Sequence, residues 1–462
     1  MIKIELGYKA AKKTAFSLTL QVKLRQFIFS ACQKDPAQYQ AEASKPERMH
    51  RAMKSLTDVI VHNIFSPPVA SRCYAYPSIA AWEVMAATHE GYQSLAGQLH
   101  ELTAVPAPPK DGVDPALASL EAFMLVGQDL TFSDEDMDDI RQGFHKEYRD
   151  MGMSDARVER SISYGKTVAD HILAWSAGDN YAQTRTFPSF DVYTDQPGRW
   201  KPTPPEYMEA IEPAWKEIRT FVIDSASQFV PPPPTAFDLD KKSLFWKELM
   251  EVYETVNNAN AEDSAIAQFW DCNPYVGHVV GHVRYATKKI TPGGHWIGIA
   301  GIAAEKAGAD FGKTVQSYAI TSIALADAFI SCWDEKYRSN LVRPETVINE
   351  HFDAEWRPVL QTPPFPEYTS GHSVISRAAA VALTDLFGEN FAYLDTVELE
   401  YGLPPREFTS FFDASDEAAI SRLYGGIHYR PACDLGVAQG KKVGELIVQR
   451  IDMRKPEGIA KK

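Results

Sequence analysis

Cysteine is scarce in this chain. Its 462 residues include five, Cys32, Cys73, Cys272, Cys332 and Cys433, and no two form a C-x-x-C pair. A disulfide scaffold is thereby excluded, and the spacing gives no sign of a structural zinc site. Positive charge is also short, with 47 Lys and Arg against 61 Asp and Glu, a net charge of −14. A protein that grips nucleic acid by general phosphate attraction needs the opposite balance. Long hydrophobic runs are nearly absent. Only Thr314 to Trp333 has membrane-spanning length, and it carries Asp327 together with Gln316, Ser317, Thr321, Ser322 and Ser331. A central Asp costs roughly 2.5–3.5 kcal/mol on insertion, so the stretch reads as a helix buried in a globular core. Period-two alternation of the strand type is scarce as well.

What is present is an ordinary globular composition, 45% hydrophobic and 23% charged. The length suits about three domains of roughly 150 residues, or one large body. Proline-rich breaks fall at Val105–Pro109 and Pro231–Pro234. Apolar residues recur at three- and four-residue steps over 136–148 and 165–177, and 237–259, 264–270, 314–337, 373–387 and 434–450 also read as helices. The predicted fold class is mainly α: two helical bundles packed as one body, divided as residues 33–235 and 236–462. Residues 1–32 resemble a bacterial export signal, with Lys3, Lys9, Lys12 and Lys13 before an apolar run and Cys32 at a lipoprotein-like position. Lys23 and Arg25 interrupt that apolar run. The expected location is the periplasm, the cell envelope or outside the cell, with the cytoplasm as the alternative.

Two metal-like patterns carry little weight. Asp134, Asp136 and Asp138 have the spacing of an EF-hand start, yet Asp139 stands where the turn wants Gly and His145 where a bidentate Glu belongs. An acidic first helical turn after Ser133 explains them better. His278 and His282 share one face if helical, but Val279 replaces the Glu of a metalloprotease motif and Gly281 weakens a helix. A structural role is preferred for this pair.

The chemistry concentrates in residues 333–428. Lys336 and Arg343 lie seven apart, which on a continuous helix points both the same way, although Pro344 marks Arg343 as a helix end. Trp333 shares the face of Lys336. The run Pro363 to Ser373 passes from a proline-rich loop into an Ala-rich helix and puts Ser370 and Gly371 at a helix N-terminus. Such an end offers free amides and partial positive charge to an anion, with His372 beside it for proton transfer. Arg422 and His428 are six apart, and Gly425-Gly426 supplies the break that could bring them together.

The order K-x6-R-P, T-S-G-H and S-R-x5-H resembles the signature of the vanadium-dependent haloperoxidases and their relatives, the type 2 phosphatidic acid phosphatases and bacterial class A acid phosphatases. Residues 164–169, 198–205 and 293–296 are similar to segments of soluble bacterial haloperoxidases. The likeness extends over about residues 50–452 and is greatest to bacterial vanadium-dependent iodoperoxidases. Thr369 departs from the usual P-S-G-H. The resemblance implies a vanadate cofactor, one per chain, whose oxygens are held by Lys336, Arg343, Arg422, the Ser370 hydroxyl and the Gly371 amide. It implies His428 as the one protein ligand to vanadium and His372 as the acid/base group. Hydrogen peroxide would be activated by the metal as a Lewis acid and attacked by halide, hypohalous acid leaving for small organic acceptors. Phe365 stands where algal bromoperoxidases carry a second His and, with Trp333, is expected to wall the halide pocket. Iodide is the expected halide and bromide the next. An acid phosphatase with His428 as nucleophile, or a non-catalytic oxyanion-binding protein, are the alternatives.

Overall fold

The computed structural model describes residues 41–455, apart from Ser133, Tyr275, Gly281, His282 and Thr287. The export-like segment with Cys32 lies outside the described residues. So does His282.

The first group of helices comprises α1 (Glu47–His62), α2 (Pro67–Thr88), α3 (Pro115–Asp129), α4 (Asp134–Asp150), α5 (Asp155–Ser176) and the single turn α6 (Tyr181–Thr184). An irregular stretch containing Pro231–Pro234 leads to α7 (Leu244–Asn257) and α8 (Ala261–Phe269). The hairpin β1 (Gly277–Val280) and β2 (Val283–Ala286) follows, then α9 (Pro292–Lys306), α10 (Phe311–Ser339), α11 (Pro344–His351) and α12 (Gly371–Phe387). A short antiparallel pair, β3 (Tyr393–Asp395) with β4 (Arg406–Phe408), precedes α13 (Phe411–Tyr424) and α14 (Arg430–Arg450).

Helix starts obey a common local rule. A short polar side chain accepts the amide three residues on, and proline takes the first helical position, where its missing N–H costs nothing. Ser66 accepts from Val69 ahead of α2, Asp114 from Leu117 ahead of α3, and Thr291 from Gly294 ahead of α9. The expected helix over 237–259 begins only at Leu244, because Ser243 caps it by accepting from the Trp246 amide. Phe237 instead packs on Phe245, with ring centroids 5.0 Å apart. The backbone of His278 pairs with Tyr285 across β1 and β2, so the i, i+4 helical spacing of His278 and His282 is not realised. The valines around it suit a pleated strand better than a helix.

α10 joins the two groups, packing on α2 from the first and on α9, α12 and α14 from the second. One apolar core runs from Ala43 to Met453. The membrane-length part of α10 is wholly buried within it. Asp327, in the middle of α10, takes no site cation as partner. Its carboxylate accepts from the backbone amides of Phe221, Val222 and Ile223 at 2.7, 2.7 and 2.9 Å. Burial pushes the carboxyl up to about 6 against the pull of those amides. Asp327→Ala strands three buried donors, each worth about 1–3 kcal/mol, so stability should fall by about 3 kcal/mol or more. Urea unfolding would read this as a lower midpoint at unchanged slope; a wild-type midpoint would mean that the amides find other partners.

Candidate active site

Lys336 occupies the last turn of α10, which ends where Asn340 turns left-handed at φ 49°. The connection onward is clamped by residues 198–200. The Trp200 amide donates to Asn340 O at 3.1 Å and the Val342 amide to Gly198 O at 3.1 Å. Arg343 then stands as the N-cap residue of α11. Lys336 and Arg343 therefore come from two elements, and both turn inward because the carbonyls they satisfy lie there. Lys336 Nζ donates to Pro366 O and Glu367 O, each at 3.0 Å. Arg343 donates through Nε to Phe365 O at 3.0 Å, and through Nη1 to Ile427 O at 2.7 Å and His428 Nε2 at 3.1 Å.

The start of α12 forms the floor. Ser370 Oγ accepts from the Ser373 amide at 3.3 Å, leaving its own hydroxyl proton free to donate. The amides of Gly371 and His372 have no partner within the helix. The floor is fixed by α14, where a Cβ on Gly440 would lie 2.0 Å from Val374 O and one on Gly436 2.8 Å from Ser373 Cβ. Backbone approach this close is open only to glycine. A Cβ on Gly371 would come 3.7 Å from the Trp333 ring and 3.9 Å from Lys336 Cε, which places the floor beside the first cation.

Arg422 lies in the last turn of α13 and donates to Trp270 O at 2.8 Å and Ser421 Oγ at 3.0 Å. Gly426, at φ +76°, then reverses the chain and returns His428 to the same cavity. Trp333, Phe365, Gly371, His372, Arg422 and His428 line this cavity of about 40 Å³, while Lys336, Arg343 and Ser370 are buried behind its surface. Four prolines, Pro67, Pro274, Pro292 and Pro363, complete the apolar side with Phe329. The Trp333 and Phe365 rings meet at 5.0 Å, and Lys336 Nζ and the Arg343 guanidinium carbon sit 5.0 and 5.2 Å from the centre of Phe365.

Positive charge is concentrated here on buried side chains. Burial, reinforced by Arg343, pushes Lys336 down to about 7, and burial brings Arg343 to about 10. Burial, then Arg343, Lys336 and Arg422, holds His428 well below the usual histidine range. Burial, then Arg422 and His295, does the same to His372, which also hydrogen-bonds to the Trp270 backbone. Both rings are neutral. Arg343 Nη2, His372 Nε2 and Glu367 Oε2, all buried in this region, have no partner among the described residues.

One functional residue escapes the motif reading. Glu367, fully buried, accepts His428 Nδ1–H at 2.8 Å and the Tyr429 amide at 3.0 Å. It thereby fixes the tautomer of His428 and makes Nε2 the acceptor, which Arg343 Nη1 meets at 3.1 Å. Burial pushes Glu367 up to about 7, against the pull of Arg343 and Lys336. Its only signal in sequence is an acidic residue within the proline-rich approach to His372. Asp334 and Glu335, by contrast, are engaged by Arg338 on the outer side of α10.

The family model for the VCPO second helical-bundle domain matches residues 316–355 and 349–454. No curated protein matches the chain. Among solved structures, one described as the first bacterial vanadium-dependent iodoperoxidase is 53% identical, with a TM-score of 0.85, covering 89% of this chain and 98% of that one. Holo- and apo-type bacterial vanadium-dependent chloroperoxidases are 16% and 15% identical, with TM-scores of 0.64 and 0.62, covering 84% and 83% of this chain and 93% and 94% of theirs. At that distance they speak for the fold alone. The cradle of cations, the neutral histidine pair and the 53% identity over nearly the whole of the iodoperoxidase chain converge: the protein is a member of the vanadium-dependent haloperoxidase family.

Proposed function

We propose that the protein uses vanadate at this site to oxidise iodide with hydrogen peroxide, H2O2 + I− + H+ giving HOI + H2O, and bromide more slowly. The observation that carries the site assignment is the buried charge: Lys336, Arg343 and Arg422 are all buried at the cavity, Lys336 and Arg343 act on Glu367 and Arg422 on Asp271, and Arg343 Nη2 is left without a partner. Buried cations in such excess are stable only with an anion that accepts several hydrogen bonds. An oxyanion with many acceptor oxygens fits this donor set. Lys336, Arg343 and Arg422, the Ser370 hydroxyl and the Gly371 amide would hold its oxygens, and His428 Nε2 would be the protein ligand to vanadium, one ion per chain. Bound vanadate supplies a Lewis-acid centre that activates hydrogen peroxide without changing oxidation state.

The remaining work belongs to the chain's own groups. His372, neutral with Nε2 unpartnered, can accept a proton from incoming peroxide and return it to the departing oxygen. The wall opposite is mostly prolines, which offer no N–H, and aromatic rings, with Asp271, Asn273 and Gln361 as its polar members. A halide entering such a wall loses hydration with little replacement, and this penalty is smallest for iodide, the largest and least hydrated candidate. The iodoperoxidase likeness supports the same choice. Small organic acceptors would meet the hypohalous acid after release. The acid phosphatase and non-catalytic alternatives have no comparable support.

The test is peroxide-dependent triiodide formation by phosphate-free protein, with and without orthovanadate. Activity should require vanadate and be lower with bromide. A folded, vanadium-loaded protein that oxidises no halide would overturn the reading and turn attention to phosphate-ester hydrolysis.

A pH dependence of cofactor binding follows. Lys336 is depressed to about 7 in the free site, and a bound oxyanion restores its charge. Binding above that pH must therefore take up a proton, so vanadate affinity should fall by up to about tenfold per pH unit as pH rises beyond 7. Equilibrium dialysis from about pH 6 to about pH 9 would show the slope, and Lys336→Met should flatten it. An affinity independent of pH would remove Lys336 from the cradle.

A further inference from the structure

Behind the cavity wall lies a second cluster, outside the oxyanion cradle. Cys272 Sγ, His295 Nδ1 and Glu398 Oε1 form a triangle with sides of 3.4 Å (S to N), 3.1 Å (N to O) and 3.7 Å (S to O). A tetrahedral zinc ion with bonds of ~2.3 Å to sulfur and ~2.0–2.1 Å to nitrogen and oxygen has ligand–ligand edges of about 3.3–3.6 Å. The triangle fits those edges to within a few tenths of an ångström. The other ring nitrogen, His295 Nε2, is 2.8 Å from Asp395 Oδ2, an arrangement that aims Nδ1 at a metal and raises its basicity. Asp395 is itself tied down through Oδ1, which accepts the Val397 amide at 3.0 Å. All four residues are buried, and Trp270 stacks on the imidazole at 4.7 Å. A thiol and two carboxylates around one ring, without solvent, are costly to hold together unless a cation is shared among them.

We propose that Cys272, His295 and Glu398 bind a divalent cation of the zinc class, with Asp395 as a positioning residue and the fourth coordination place open to water. Thiolate and imidazole exclude magnesium and calcium, which demand oxygen shells, and favour a borderline-soft ion. The ligands reach it from α9, from the turn after β3 and from the segment after α8, which explains why no compact motif announces it: His295 and Glu398 lie 23 and 126 residues beyond Cys272. The ion has a structural consequence for the catalytic site. Cys272 belongs to the cavity wall, and Trp270, two residues earlier, accepts from Arg422 and hydrogen-bonds with His372. A metal staple at Cys272 would hold the segment against which both groups are oriented.

The full chain, freed of vanadate and equilibrated with Zn2+, should carry one zinc per chain by plasma mass spectrometry, whether or not vanadate is then added. Cobalt in its place should give a thiolate-to-metal charge-transfer band. Cys272→Ser and Glu398→Gln should each lose the zinc and the band with unchanged far-ultraviolet circular dichroism, and vanadate affinity should drop about tenfold, the scale of a supporting-shell loss. If the variants do not fold, the wild-type cobalt spectrum decides alone. Sub-stoichiometric zinc, no thiolate band, or undiminished zinc in Cys272→Ser would overturn the proposal, leaving His295 as an imidazolium between Asp395 and Glu398. Metal content does not depend on the halide reading, so either can fail without the other.

Discussion

His428→Ala should abolish vanadate-dependent iodide oxidation down to the rate of vanadate free in solution, while the protein stays folded. The fold should survive because the substitution leaves no uncompensated charge. Glu367 keeps the Tyr429 amide at 3.0 Å, and Arg343 keeps the carbonyls of Phe365 and Ile427. What disappears is the ring whose Nε2 accepts from Arg343 Nη1 at 3.1 Å and whose Nδ1 is backed by the Glu367 carboxylate at 2.8 Å. Without it the three cations can still attract an oxyanion, so vanadium should remain detectable after loading but exchange rapidly on gel filtration. Retained vanadium with no turnover identifies His428 as the ligand that makes the bound ion productive. Wild-type turnover in the variant would remove His428 from the reaction.

Glu367→Gln should weaken vanadate binding about 10- to 100-fold, the usual cost of losing a partner behind a metal ligand. Two opposing effects need weighing. Deleting a negative charge among three cations raises the attraction for an anion. The same charge, however, supports the proton on Lys336, whose ammonium burial already drives down to about 7. In the variant Lys336 becomes neutral at lower pH, so at neutral pH the cradle loses a cation along with the carboxylate. The amide also orients His428 less firmly, because a neutral acceptor replaces a charged one. Gln preserves the shape of the group and its bond from the Tyr429 amide, which isolates charge from packing. Alongside the weaker affinity, the pH at which binding fails should move down relative to wild type. An unchanged midpoint would mean that Glu367 serves only as a packing element.

The cradle was readable because its chemistry demands particular side chains at particular separations. Lys336, Arg343, Ser370, Gly371, His372, Arg422 and His428 each sit at a helix end or a glycine corner, features that local sequence announces. Glu367 was not readable as a partner of His428, since the two lie 61 residues apart and meet only through the packing of α12 and α14, which they precede. The partners of Asp327 are unreadable for a similar reason: they are amides from an irregular segment more than 100 residues away. Among helices, α2 was hidden by its own burial. Nearly all of it faces protein, so it lacks the polar face that creates a 3.6-residue period, and of its three prolines Pro67 and Pro68 begin the helix while Pro77 lies within it. The β1–β2 hairpin was missed because two histidines four apart draw attention to helical spacing, whereas the valines between and beside them favour extended backbone.

The glycines of α14 have a further bearing on how this protein can change over generations. Where two helices meet through side chains, one substitution can be answered by another, and the gap between them drifts. At Gly440 the contact is backbone against backbone, with Val374 O where any Cβ would have to go, and Gly436 and Gly444 repeat the constraint one turn to either side. No compensating residue exists for such a seat. The start of α12 is therefore seated without any side chain that could adjust the gap.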